Sequence, residues 1–128
     1  FSVYRAGSTS TSIGSQRANF DTKRFDTGSN YSTSTFRFTA PVAGFYQFNM
    51  GISIAAVTPT RMFPSFYKNG VELMRGTDIA SSSQGTSLSA QFQLAANDYI
   101  EAYFYCNLSG GTYNNSFSFF DGYLISKT

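Results

Sequence analysis

The chain contains no histidine, no tryptophan and a single cysteine, Cys106. Without His there is no Ser-His-Asp or Cys-His nucleophilic relay, and no His-containing zinc site. One thiol builds neither a thiolate metal site nor an intrachain disulfide, which a small secreted animal domain would more often carry. Charged residues make up 12% of the sequence, about half the usual share. The net charge is only +2, and Lys and Arg are scattered singly, so no footprint for nucleic acid or an anionic membrane is visible. No apolar run is long enough to cross a bilayer. Neither an initiator Met nor a signal peptide opens the sequence; it starts in a strand-like FSVYR, which predicts a domain of a longer chain. Gly110-Gly111 lacks the Lys and helix of a phosphate-binding loop. None of the seven carboxylates stands in the pattern of a glycosidase pair. These absences exclude the common catalytic constellations, and the sequence reads as non-enzymatic.

What is present is aromatic and hydroxyl-bearing. In 128 residues, enough for one domain with a substantial core, there are 14 Phe and 9 Tyr, bulky residues that favour strands. Ser and Thr stand where most proteins place Lys or Glu. Such a weakly charged, hydroxyl-rich surface is common in extracellular and virion-surface β proteins. Three N-glycosylation sequons, at Asn30, Asn107 and Asn114, are no more than so much Ser and Thr brings by chance.

No stretch has a helical period, and an all-β chain of eight to ten short strands is expected. The clearest strand follows the Pro41–Gly44 corner: Tyr46, Phe48, Met50, Ile52 and Ile54 recur at period two and share one sheet face, with Gln47, Asn49 and Ser53 opposite. Phe1–Arg5 reads as a first strand, then a Ser/Thr-rich segment with Ile13 as its large apolar anchor. Met62–Tyr67 and Val71–Arg75 flank Asn69-Gly70, a hairpin signal, with Pro64 arguing that the first arm is an edge strand or begins late. Asp78–Gly85 suits a mobile loop, and Leu88, Ala90, Phe92 and Leu94 alternate as a strand. After a turn at Asn97-Asp98 comes Tyr99–Leu108, with Ile100, Ala102, Phe104, Cys106 and Leu108 on one face and Tyr99, Tyr103 and Tyr105 beside Glu101 on the other. Cys106 is therefore expected to be a buried structural thiol. Phe117–Ser126 closes the chain.

The stretch from Phe20 to Met50 carries a spaced set: Phe20, Asp26, Tyr31, Phe38, Gly44, Tyr46 and Phe48. This spacing resembles the globular head of complement C1q and its relatives, missing only the last aromatic, where Met50 stands. Phe120-Asp121-Gly122-Tyr123-Leu124 is similar to a second motif of that family, with Asp121 in place of the usual Ser, and Phe1-Ser2 to its opening. The resemblance spans the whole chain. It implies a ten-stranded jelly-roll β-sandwich of the C1q/tumour necrosis factor kind, placed after a fibrous stalk, that trimerises through an aromatic sheet.

Patterning points the same way. Tyr99–Leu108 and Phe117–Ser126 are aromatic on both faces, more than a sandwich interior uses. The expectation is that these strands share a sheet that packs against other copies, with Tyr46, Phe48, Tyr103, Tyr105, Phe119 and Tyr123 at a homotrimer interface. Gly44 should sit where no Cβ fits, and Phe38, Tyr46 and Phe48 in the packed layer. Two functional classes follow: a recognition head for a glycan or protein on a cell surface, or a structural cap that registers a stalk. The low Cys and charge content resembles the tips of phage or bacterial fibres more than a collagenous animal protein, so an extracellular or virion-surface site is expected. Candidate contacts lie in three polar loops, at Thr77, Asp78, Ser82 and Gln84, at Val57–Thr60, and at Asn107, Thr112, Tyr113 and Asn114. No cofactor is required; since some relatives hold calcium near the trimer apex, Asp78, Asp98 and Asp121 are the carboxylates to consider, each with an ordinary turn role besides.

Overall fold

The computed structural model describes residues 1–79, 84–113 and 117–128. Thirteen strands and no helix occur among them: β1 (Ser2–Tyr4), β2 (Thr9–Ser10), β3 (Gly14–Arg17), β4 (Thr22–Phe25), β5 (Tyr31–Ser32), β6 (Arg37–Thr39), β7 (Gly44–Ala55), β8 (Met62–Lys68), β9 (Val71–Arg75), β10 (Gly85–Leu94), β11 (Tyr99–Cys106), β12 (Thr112–Tyr113) and β13 (Phe119–Lys127). Three of these, β2, β5 and β12, are two-residue ladders, and the other ten make the jelly roll. Two antiparallel sheets face each other. The first runs β2-β12-β7-β13-β1-β4 with β10 on the far side of β7; the second runs β5-β6-β11-β8-β9 with β3 also on β11.

Period-two alternation builds the interior as expected. Tyr46, Phe48, Met50, Ile52 and Ile54 all point inward from β7, and Ile100, Ala102, Phe104 and Cys106 meet them from β11. Phe48 lies at the centre, with the rings of Phe1, Phe38, Tyr46, Phe66, Phe92 and Phe120 within 6.4 Å. The Cys106 thiol is buried and donates to the Leu108 carbonyl at 3.2 Å. A Cβ on Gly44 would stand 2.6 Å from the Ser126 carbonyl oxygen, so only glycine lets β13 approach β7 there.

The spaced set from Phe20 to Phe48 is structural. Asp26 accepts from the backbone N–H groups of Asn30 and Tyr31 and from Lys23, closing the turn before β5. Burial works against its charge, yet these bonds outweigh it and hold the carboxyl below its usual range. Tyr31 is buried and donates its hydroxyl to the Phe20 carbonyl at 3.0 Å, tying both ends of the turn together.

The β8–β9 hairpin turns at Asn69-Gly70, both with positive φ (51° and 84°), as Asn-Gly turns demand. Two local expectations are corrected. β8 is an interior strand between β11 and β9, not an edge. Its Pro64 is tolerated because β9 ends beside it: the Pro64 carbonyl takes the N–H of Gly76, just past the last β9 residue, and the missing N–H faces that end of the ladder. Ile13 anchors nothing; it is 68% exposed.

Candidate functional site

The two strands rich in outward aromatics do not share a sheet, contrary to the sequence reading: β11 is central to the second sheet and β13 to the first. Alternation says which side chains share a face of a strand but not which sheet the strand joins. Their outward rings therefore lie on opposite sides of the sandwich. Tyr46 and Phe48 are on neither outer face. Both are fully buried inside the protomer, and the Tyr46 hydroxyl donates to the Val42 carbonyl at 2.7 Å, so they have no surface to offer another copy.

On the outer face of the first sheet the middle is polar. Gln47 donates to Asn49 and Ser89, and Asn49 donates to Asp121 at 2.8 Å. Around this amide ladder stand apolar groups that are largely exposed. Tyr123 is 61% exposed, and Phe45 and Ile125 are also exposed. Phe25 and Tyr123 line one shallow groove with Ser2 and Asp121. Phe119 is half-buried, its ring covering the bare backbone of Gly51, where a Cβ would meet it at 2.6 Å.

The outer face of the second sheet is arranged differently. Along β11, Tyr99, Glu101, Tyr103 and Tyr105 face outward; opposite the last three on β8 stand Tyr67, Ser65 and Phe63. The rings of Tyr67 and Tyr103 stack at 3.9 Å, and those of Phe63 and Tyr105 at 4.9 Å. Guanidinium groups cover the rest: Arg37 over Tyr99 at 4.0 Å, Arg75 over Phe63 at 4.1 Å, Arg61 over Tyr105 at 5.1 Å and Arg17 over Phe36 at 5.3 Å. Glu101, only 3% exposed, accepts from Arg17 at 3.1 Å and Arg37 at 3.2 Å through one carboxylate oxygen. These arginines are scattered in the sequence and gathered in space. Sequence reading missed the group, although one carboxylate in the middle of a tyrosine-rich strand was its visible signal.

At one end of the sandwich the candidate loops are linked. Asn107 accepts from the N–H groups of Thr60 and Arg61 and donates to the Thr60 hydroxyl. Arg61 donates to Asp78 at 2.7 Å, and Gln84 donates to the Val57 carbonyl at 3.4 Å. Thr77 is exposed beside them. Thr112 is half-buried in the β12 ladder, and Tyr113 is a core residue, not a loop contact: it is buried edge-on to Phe20 and Phe104 and its hydroxyl accepts from the Asn19 N–H. Ser82 and Asn114 lie outside the described residues.

The three aspartates are engaged separately. Asp78 pairs with Arg61, Asp121 accepts from Asn49, and Asp98 accepts from Lys68, Asn69 and the Ala95 N–H. The Lys68, Asn69 and Ala95 donors pull the Asp98 carboxyl down to about 2. Among the described residues no group of three His, Cys, Asp or Glu comes together to hold a metal ion.

A two-sheet antiparallel jelly roll with a packed aromatic interior is the fold that the resemblance to the C1q and tumour necrosis factor heads implied. A C1q domain family model matches residues 1–125, and the chain belongs to that family. It is similar in fold to the globular domain of zebrafish complement 1qA protein, at 23% identity over all of this chain and 98% of that one, with a TM-score of 0.75. It is also similar to murine APRIL (14% identity, 94% of this chain and 93% of that one, TM-score 0.68). Rabbit GITRL aligns at 14% identity over 73% of this chain and 74% of that one, with a TM-score of 0.53. No curated protein sequence matches.

Proposed function

We propose that the chain is a non-enzymatic recognition head that works as a homotrimer and binds a glycan or protein on another surface. The observation that carries the assembly is the presence of two different unpartnered apolar surfaces. One is the outer face of the first sheet, with Phe45, Tyr123 and Ile125. The other is β9, the terminal strand of the second sheet, where Val71 (70% exposed), Leu73 and Met74 are bare. A face and an edge that differ in shape favour a head-to-tail contact, which closes into a ring when the rotation permits. Membership in the C1q family supports three as the number. Phe119 and Tyr123 then belong to the interface, whereas Tyr103 and Tyr105 already have partners within the protomer.

Recognition is assigned to the linked loops around Asn107, Asp78 and Gln84, repeated three times on one rigid body. Three weak contacts on one trimer raise apparent affinity by about 100-fold or more. The hydroxyl-rich surface and single cysteine support a carrier outside the cell, a phage or bacterial fibre with a stalk upstream. Native mass spectrometry at micromolar concentration tests the assembly, and a stable monomer refutes it. A labelled trimer should adhere saturably to bacterial cells or to a glycan panel. Saturable adherence to neither leaves a trimerisation cap in place of a recognition head.

A further inference from the structure

The group around Glu101 is built more elaborately than a solvated sheet face requires. Two guanidiniums converge on one buried carboxylate, which leaves a local excess of one positive charge. Arg17 comes from β3 and Arg37 from β6; both strands pair with the same side of β11, and Glu101 lies where one ladder ends and the other begins. Donors remain free there. A guanidinium carries five N–H groups; Arg37 spends one on Glu101 and its Nε is buried, so what it can offer a ligand comes from its terminal nitrogens. Arg17 spends one on Glu101 and one on Asn19. Beside them stands the stacked pair Tyr103 and Tyr67, half-exposed. The approach is shaped by Phe36, whose φ of 56° is an uncommon backbone conformation for a bulky residue and sets its ring against Arg17.

Guanidinium forks recognise carboxylates by paired N–H bonds, and a tyrosine platform packs against the apolar face of a sugar ring. We propose that the outer face of the second sheet, at Arg17, Arg37 and Tyr103, is a binding site for a uronic-acid saccharide. The carboxylate bridges the two arginines and the pyranose ring lies along Tyr103. Glu101 takes no part in contact; it holds both guanidiniums in place and limits the site to one extra anion. The site is separate from the linked loops, so it is tested apart from them.

The probe is a tetramer of galacturonic acid, titrated into the assembled protein by calorimetry, with the neutral galactose tetramer as control. The uronate should bind at least about tenfold more tightly than the neutral tetramer at low salt, and lose that advantage at high ionic strength. Arg17→Gln should weaken uronate binding about tenfold, the loss of one charge-assisted bond, and Tyr103→Ala should weaken both tetramers. Both positions are partly exposed, and melting curves establish that the variants fold. Gln84→Ala and Asn107→Ala in the loops should leave uronate binding unchanged. Equal affinity for the two tetramers, or uronate binding indifferent to both sheet-face changes, overturns the inference. Cell adherence by the Arg17→Gln and Tyr103→Ala proteins with no uronate binding by the unaltered protein also overturns it, and leaves the recognition head standing on its loops.

Discussion

The two outer faces meet the same problem, aromatic side chains on the wet side of a sheet, and resolve it differently. On the second sheet each outward ring has a neighbour within the protomer, either a stacked ring or a guanidinium, and the buried carboxylate among them, Glu101, is met by two arginines. On the first sheet Tyr123, Phe45 and Ile125 stand about half exposed or more, with no ring stacked on them and no guanidinium over them among the described residues. Exposure alone does not separate an interface from a finished surface, because rings are abundant on both. What separates them is whether the protomer has already supplied the partners. By that measure the first face is the proposed interface, and the second, already partnered within the protomer, is the proposed anion site.

The largest effect expected tests the boundary between interior and face. Phe48→Ala should cost about 3–5 kcal/mol, because the ring at the centre of the sandwich leaves a cavity its neighbours cannot fill. Chemical unfolding of the monomer and of the assembly should both register it. A loss of assembly with monomer stability unchanged would return Phe48 to the interface. Next comes a matched pair on the two faces. Tyr123→Asp should dissociate the trimer by burying an unpaired charge, whereas Tyr103→Asp should leave the mass measured by light scattering unchanged. The opposite pattern would reverse the assignment of the faces.

A third pair compares the carboxylates. Glu101→Gln leaves two guanidiniums facing an amide and should destabilise by about 2 kcal/mol, since a buried partner is lost while both arginines stay partly hydrated. Asp121→Asn, at a half-exposed position on the first face, should cost less than about 0.5 kcal/mol. Equal costs would mean that the charge cluster on the second sheet has no special structural role.

Much of this was legible in the residues. The alternation from Tyr46 to Ile54, the Asn69-Gly70 turn and the spacing from Phe20 to Phe48 each encode a local geometry, so one stretch of sequence suffices to read them. The faces were harder. Tyr103 and Tyr123 look alike within their strands, and only the order of strands across each sheet sets them on opposite sides. The Glu101 cluster joins residues 84 and 64 positions apart, and no local pattern announces such a meeting. Tyr113, in a Gly- and Asn-rich stretch, read as a loop residue because its partner Phe20 is far off in sequence and Phe104, though near, lies in another strand of the facing sheet.

The smallest effect is a pH signature of the same contrast. If charge contacts finish the second sheet, acid should loosen it at its turns. Asp98 joins the turn before β11 to the β8–β9 hairpin: it accepts from Lys68 at 2.8 Å and from Asn69 at 2.7 Å, while Asn69 in turn accepts from the Tyr99 N–H. These donors hold its carboxyl at about 2 in the folded protein against 3.8 without them. A carboxyl whose value is lowered by folding contributes its stability in full above the unfolded value and loses it as pH falls through the folded one. The contribution of Asp98 should therefore be constant above about pH 4 and vanish toward pH 2. Solvent screens the site, so it should be worth about 1 kcal/mol. Urea unfolding of the protein and of its Asp98→Asn variant, compared at pH 6, 4, 3 and 2, isolates the term from other acids such as Asp26. The two curves should differ at pH 6 and 4 and draw together as pH falls to 2. A difference that persists unchanged at pH 2 would show that Asp98 acts through shape and not charge, and the second sheet's reliance on ion pairs would end at the Glu101 cluster.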